Sequence, residues 1–274
     1  MIHRTEPDMQ RSFCFIGKPG TQKTLTLRTF IPPEWKDGDE PWARIFACDR
    51  KKDGGMAVLK GVPGIKYTVH TNAAAQTIPS LGKPVTYAEP KALAEFIEEA
   101  NIVLGQGNTS GDFPYYLVAV DTATGLRDII FDEIFYKSRN PSMNPKVSAE
   151  LRARIRPSQD DIGNCQWFMM QYIKAINQLP CVTVVVCHQY FIQEDVEGKM
   201  KIFPDLPGKK INDAFLSMFD EVFYFEADPR GEIKVRTKGT LTIPARTSQP
   251  ALSEIEPADY QTWKRKILAY YDKK

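Results

Sequence analysis

The segment Gly17-Lys18-Pro19-Gly20-Thr21-Gln22-Lys23-Thr24 constrains this chain more than any other. It follows a short apolar run, Phe13-Cys14-Phe15-Ile16, and leads into Gln22–Phe30, which Pro32-Pro33 stop. The order is strand, loop, helix. The loop carries the first Gly, the Lys and the Thr of the G-x-x-x-x-G-K-[ST] pattern, and Gln22 stands where the second Gly belongs. Such a loop curls backbone N–H groups into an anion-binding nest, with a Lys head for the β- and γ-phosphates and a hydroxyl for Mg2+. Gly17, Lys18, Pro19, Gly20, Thr21, Gln22, Lys23 and Thr24 are therefore the candidate nucleotide-binding residues. A side chain at position 22 favours binding over turnover. The plain alternative is a Gly/Pro turn with a solvated lysine.

The rest of the chain supplies the elements such a loop needs. Ala43–Cys48 and Ile65–His70 read as strands, and Tyr115–Val120 and Val182–Cys187 are continuous apolar runs. Continuous rather than alternating apolarity marks strands covered on both faces, as in a parallel sheet. Helical spacing predicts helices from Pro90 to about Leu104 and over Ile162–Gln178. Further on we expect a hairpin from Tyr190 to Phe203 turning at Gly198, a helix from about Ile211 to Met218, and a strand Glu221–Phe225. A hairpin around Asp228–Gly231 and a helix from about Pro257 complete the chain. The fold class is α/β, doubly wound. We expect residues 1–250 as a core and 251–274 as a basic helical appendage.

In such sheets ligands lie beyond the carboxyl ends of the strands, where Gly17, Asp49, Asp121 and His188 all fall. Asp121 is placed for a Mg2+-associated carboxylate, so Thr24 and Asp121 are the candidate metal residues. Its alternative is a cap on the turn before Thr122. Asp49, with Asp53 as rival, is the candidate for orienting an attacking water; each is equally a turn carboxylate. His188 is a candidate sensor of the terminal phosphate, or a hydrogen-bonded histidine at a strand end.

Charge narrows the partner question. With 36 Lys and Arg against 34 Asp and Glu, the net charge of +2 gives no global drive toward nucleic acid, so such a role must rest on local clusters. Lys137, Arg139, Lys146, Arg152, Arg154 and Arg156 are opposed only by Glu150. They are the candidate nucleic-acid residues, on a loop that holds phosphates while aromatics such as Tyr136 stack on bases. A second cluster, Lys264, Arg265, Lys266, Lys273 and Lys274, interleaves with Trp263, Tyr270 and Tyr271. The bland reading is a solvated loop and a helix end that complements its own dipole. Five cysteines form no CxxC pair and read as buried reduced thiols in a cytosolic protein. No apolar stretch reaches the ~18 residues of a spanning helix, so no membrane role is expected.

Taken in order, the loop at 17–24, Val118-Ala119-Val120-Asp121-Thr122-Ala123-Thr124, Val185-Val186-Cys187-His188 and Leu206-Pro207-Gly208-Lys209-Lys210 followed by Phe219-Asp220-Glu221-Val222 resemble the phage-type nucleotide-binding family of RecA-like P-loop ATPases. Some of its members act as single-strand annealing recombination proteins. The resemblance covers roughly residues 10 to 250. It implies a RecA-like P-loop core with a mostly parallel central sheet flanked by helices, ATP with Mg2+ as cofactors, and ATPase activity slowed by Gln22. It also implies action on single-stranded DNA in recombination or annealing, assembly into a homo-oligomeric ring or filament, and recombination or replication partner proteins. A cytoplasmic setting follows, the host cytoplasm if the chain is phage-encoded. By this likeness Lys23, Asp49, Asp121, His188 and Arg246 are the catalytic set, with Arg246 or Lys238 reaching a neighbour's nucleotide. The competing classes are a nucleotide-gated interaction module with little turnover and a small-molecule or nucleotide kinase. A guanine-nucleotide switch is disfavoured, since no N-K-x-D segment follows the late strands.

Overall fold

The sheet is built on strands that bury both faces. In a computed structural model, which describes residues 11–49, 53, 55–72, 89–108, 113–139, 157–193, 200–208 and 211–273, the strands β1 (Ser12–Gly17), β2 (Ala43–Cys48) and β4 (Leu117–Asp121) are buried at every position. With β3 (Ile65–His70), β5 (Val182–Gln193) and β7 (Glu221–Ala227) they pair in parallel. The strands β8 (Ile233–Arg236) and β9 (Ile255–Pro257) extend the far edge antiparallel. The order is β3-β2-β4-β5-β1-β7-β8-β9, and β6 (Met200–Pro204) pairs with the outer half of β5. The result is the expected α/β architecture, a mostly parallel sheet between helices.

Alternation along each strand splits the core in two. Cys14, Ile16, Phe46, Val118, Val120, Val185 and Cys187 face the helices α2 (Ala92–Gly107), α3 (Ala123–Arg139), α4 (Gln159–Asn177) and α5 (Ile211–Ser217). Phe13, Phe15, Ile45, Leu117, Val184 and Phe223 face the opposite layer. There Phe30 stacks on Tyr260 at 3.9 Å between ring centroids, and Trp263 stands edge-on to Phe223 at 5.0 Å. All five cysteines are buried and none is in a disulfide. Burial pushes the Cys14, Cys48 and Cys165 thiols up, the last to about 12.

Several expected boundaries move for identifiable reasons. The helix after the loop is a single α-turn, α1 (Lys23–Thr26), continued by a 3-10 turn Leu27–Phe30. The hydroxyls of Thr26 and Thr29 bond back to the Gln22 and Thr26 carbonyls, a competition that works against regular α-helix. The apolar run Val182–Cys187 does not end at His188: β5 continues through Gln193 into the hairpin with β6. The expected turn at Gly198 lies outside the described residues. Lys137 and Arg139 are not in a loop but in the last turn of α3. Finally, the described residues 251–273 pack against the sheet: β9 pairs with β8, and the helix α6 (Tyr260–Tyr271) buries Tyr260, Trp263 and Ile267. In its basic cluster Lys266 grips both oxygens of buried Glu256, at 2.9 and 2.7 Å.

Candidate nucleotide site

Gly17, the last residue of β1, sits in register between His188 of β5 and Phe225 of β7, at the carboxyl rim of the sheet. A Cβ there would lie 2.5 Å from the Phe225 carbonyl oxygen and 2.9 Å from the Thr21 hydroxyl, so the close approach of loop and strand requires glycine. Beyond it the loop alternates handedness, with Gly20 at φ +83° and Gln22 at φ 58°. Gln22 is the one non-glycine residue with positive φ among those described. It accepts a left-handed backbone at a cost of about 1–2 kcal/mol. Its amide side chain is exposed, as are Lys18, Pro19 and Gly20, whereas Thr21 and Lys23 are buried.

Lys23 folds into the loop. Its ammonium donates to the Gly17 carbonyl at 2.9 Å, the Lys18 carbonyl at 2.7 Å and the Thr21 hydroxyl at 3.2 Å. Next to it, the Thr24 hydroxyl donates to Asp121 Oδ2 at 2.5 Å. Asp121 ends β4, and β5 separates that strand from β1, so this bond reaches across one intervening strand. Burial raises the Asp121 carboxyl to about 6, against the Thr24 hydrogen bond and the Lys23 charge, with Asp49 adding to the rise. Burial likewise lowers the Lys23 ammonium to about 8, opposed by Asp121. The pair are thus both pushed toward neutrality. Asp49 follows β2 and acts electrostatically on Asp121.

His188 is half-buried in the middle of β5. Its N–H donates to the Thr124 hydroxyl at 3.1 Å, and its carbonyl accepts from the Asp205 N–H at 2.8 Å. Lys18 reaches the hairpin, its Nζ 5.9 Å from the Phe191 ring centroid. The carboxyl rim therefore gathers Gly17–Thr24, Asp49, Asp121 and His188.

The structure places Arg246 elsewhere. Its backbone pairs with Val222, which lies beside Cys14 in the sheet rather than beside Gly17. Its guanidinium donates to the Leu216 carbonyl at 2.9 Å and to that of Phe219, closing the end of α5. Within its own chain it is a helix-end clamp at the level of Cys14; Lys238 is exposed. Of the basic segment, Lys137 is 59% exposed and pairs with Glu133 at 3.0 Å. Lys146, Arg152, Arg154 and Arg156 lie outside the described residues, as do Lys209 and Lys210.

Three contributors were not read from sequence. Thr122 caps α3: its N–H donates to the Cys48 carbonyl at 2.9 Å and its hydroxyl accepts from the Gly125 N–H at 2.8 Å. Gly125 packs onto the end of β2 so closely that a Cβ would collide with the Cys48 carbonyl. Arg127 ties α3 to the segment after β6 through Asp205, at 2.5 Å. The small-residue run Thr122-Ala123-Thr124-Gly125 is the one signal that could have flagged this helix start.

The donor set fits a Mg2+-nucleotide. Thr24 and Asp121 offer hard oxygens side by side, Lys23 offers an ammonium, and the left-handed residues shape a loop of the anion-binding kind. No family model matches the chain, and no curated protein matches it. Among solved structures the chain is similar to a prototypical ATPase from the type III secretion system of pathogenic bacteria, at 10% identity and a TM-score of 0.41. The match covers 79% of this chain and 51% of that one, so the chain spans about half the length of that ATPase. No helix among the described residues is long and apolar enough to cross a membrane.

Proposed function

We propose that this chain is a RecA-like P-loop ATPase that binds Mg-ATP at Gly17–Thr24 and acts on single-stranded DNA in phage-type recombination or annealing. The observation that carries the nucleotide reading is the 2.5 Å bond from Thr24 to Asp121, which joins the loop to the buried acidic strand end. When bound, Mg2+ supplies charge neutralisation between phosphate oxygens, as in other phosphoryl-transfer sites. Thr24 and Asp121 are the residues to hold it, Lys23 to hold the phosphates, and Asp49 to orient water. Burial of Asp121 and Lys23 keeps solvent from the same point.

The DNA reading rests on the resemblance and draws support from α3. This helix of 17 residues, about 25 Å long, starts beside Asp121 and ends at Lys137 and Arg139. A single rod thus links the acidic strand end to the basic segment. Homo-oligomeric assembly belongs to the same proposal, with exposed Lys238 better placed than Arg246 to reach a neighbouring copy, since Arg246 already serves its own chain. Gln22 favours a second reading, a nucleotide-gated interaction module with little turnover. Mg-ATP hydrolysis with and without single-stranded oligonucleotide, at low and moderate salt, tests the set. Stimulation that disappears in Lys23→Ala is the expected result. ATP binding with no phosphate release in either condition would support the gated module, and a phosphorylated acceptor would reveal a kinase.

A further inference from the structure

An ammonium has three donors and no acceptor, and all three N–H groups of Lys23 are met by oxygens of its own loop. A phosphate oxygen that Lys23 is to hold must therefore take the place of one of them. Two of the three acceptors are main-chain carbonyls, at 2.9 and 2.7 Å, fixed by the path of the loop. The third is a side chain at 3.2 Å, the longest of the set. The Thr21 hydroxyl gives its own proton to the Lys18 carbonyl at 2.8 Å, which turns a lone pair toward Lys23. Thr21 and Lys23 are each 5% exposed, so no bulk water stands in when that bond breaks. The absent Cβ of Gly17 leaves the room that the Thr21 hydroxyl occupies.

We propose that Thr21 is a positioning residue that parks the Lys23 ammonium within the loop, and that giving up this one bond is how the loop admits the terminal phosphates. The inference rests on the nucleotide reading of the site. Nothing in the loop pattern asks for a hydroxyl at this position, which is one of its free places. The parking bond therefore tunes affinity in this chain: it stabilises the free loop and is surrendered on binding.

Thr21→Val keeps the shape and removes the hydroxyl, and Thr21→Ser keeps the hydroxyl. ATP affinity is measured on the full chain by calorimetry with Mg2+, alongside thermal midpoints with and without saturating ATP. The valine variant is expected to bind ATP about tenfold tighter, the size of one hydrogen bond to a charged group. Its midpoint should fall without ATP and coincide with that of the wild type when ATP is saturating. Serine should restore both values. Should valine not be tolerated, Thr21→Ala serves the same comparison. Unchanged or weaker ATP binding by the hydroxyl-free variant, with the wild type binding normally, overturns the parking role alone. A wild type that does not bind ATP overturns the nucleotide reading and this inference with it.

Discussion

Charged groups at the two ends of the sheet are handled in opposite ways. At the amino edge and far edge, buried charge is matched by charge. Glu221 receives Arg11 at 3.1 Å, and Glu256, with no exposed side-chain surface, receives Lys266 on both oxygens. Arg236 spans Glu226 and Glu254. At the carboxyl rim, Asp121 is 3% exposed, yet the hydrogen bond it accepts comes from the neutral Thr24 hydroxyl, and Lys23 spends its protons on neutral oxygens. Matched pairs hold the edges of the fold together. Under-neutralised groups at the rim cost stability and are ready to meet charge from outside, the general trade at functional sites.

That contrast predicts where substitution hurts. Trp263→Ala, in the aromatic layer behind β1 and β7, should cost about 3–5 kcal/mol in chemical denaturation, the largest effect expected. A loss below about 1 kcal/mol would mean that α6 is dispensable to the core. Asp121→Asn should do the reverse, gaining about 1–3 kcal/mol of stability at pH 7 while weakening the Mg2+-dependent part of ATP binding at least tenfold. The pH profile gives the sign. Because the folded carboxyl is raised to about 6, the wild type is most stable below about pH 4 with respect to this group and loses that advantage up to about pH 6. The asparagine variant should lack this slope. Lys23, lowered to about 8, works in the other sense: its folded state holds fewer protons above about 8, so stability rises from there toward the ordinary lysine range. Mg-ATP affinity should accordingly be greatest between about pH 6 and 8. An affinity that still climbs at pH 9 would contradict a charged Lys23 at the phosphates. The smallest effect is expected from Lys137→Gln, under about 0.5 kcal/mol in stability, since its pair with Glu133 is a solvated i,i+4 contact. The same variant should lower oligonucleotide affinity at low salt and flatten its salt dependence.

The difference between the ends also explains what could be read in advance. The strands β1, β2 and β4 were legible because each is a mostly apolar run closed by Gly17, by Cys48-Asp49 or by Asp121, and those closing residues are the rim itself. Helix α3 was not. Its Arg127 and Asp132 turn toward Asp205 and Asn72, partners set by the tertiary fold, and these inward polar contacts blur the amphipathic pattern. Strand β9 is three residues long and exists by pairing with β8. The employment of Arg246 depends on carbonyls 27 and 30 positions earlier in the chain, a separation that spacing rules do not reach. The left-handed Gln22 was legible as an exception to a pattern, while its φ of 58° needed the folded loop.

The unbroken course of β5 has a mechanical consequence. Twelve residues, about 40 Å of extended chain, run from the centre of the sheet out into the hairpin. The inner half is clasped by β1 and β4 on either side, and a shift of one residue would turn Val184 and Val186 out of one layer and Val185 and Cys187 out of the other. Slippage is therefore forbidden. The same unbroken strand that holds register between β1 and β4 thus also carries the pairing with β6, so the hairpin and the rim share one backbone through His188.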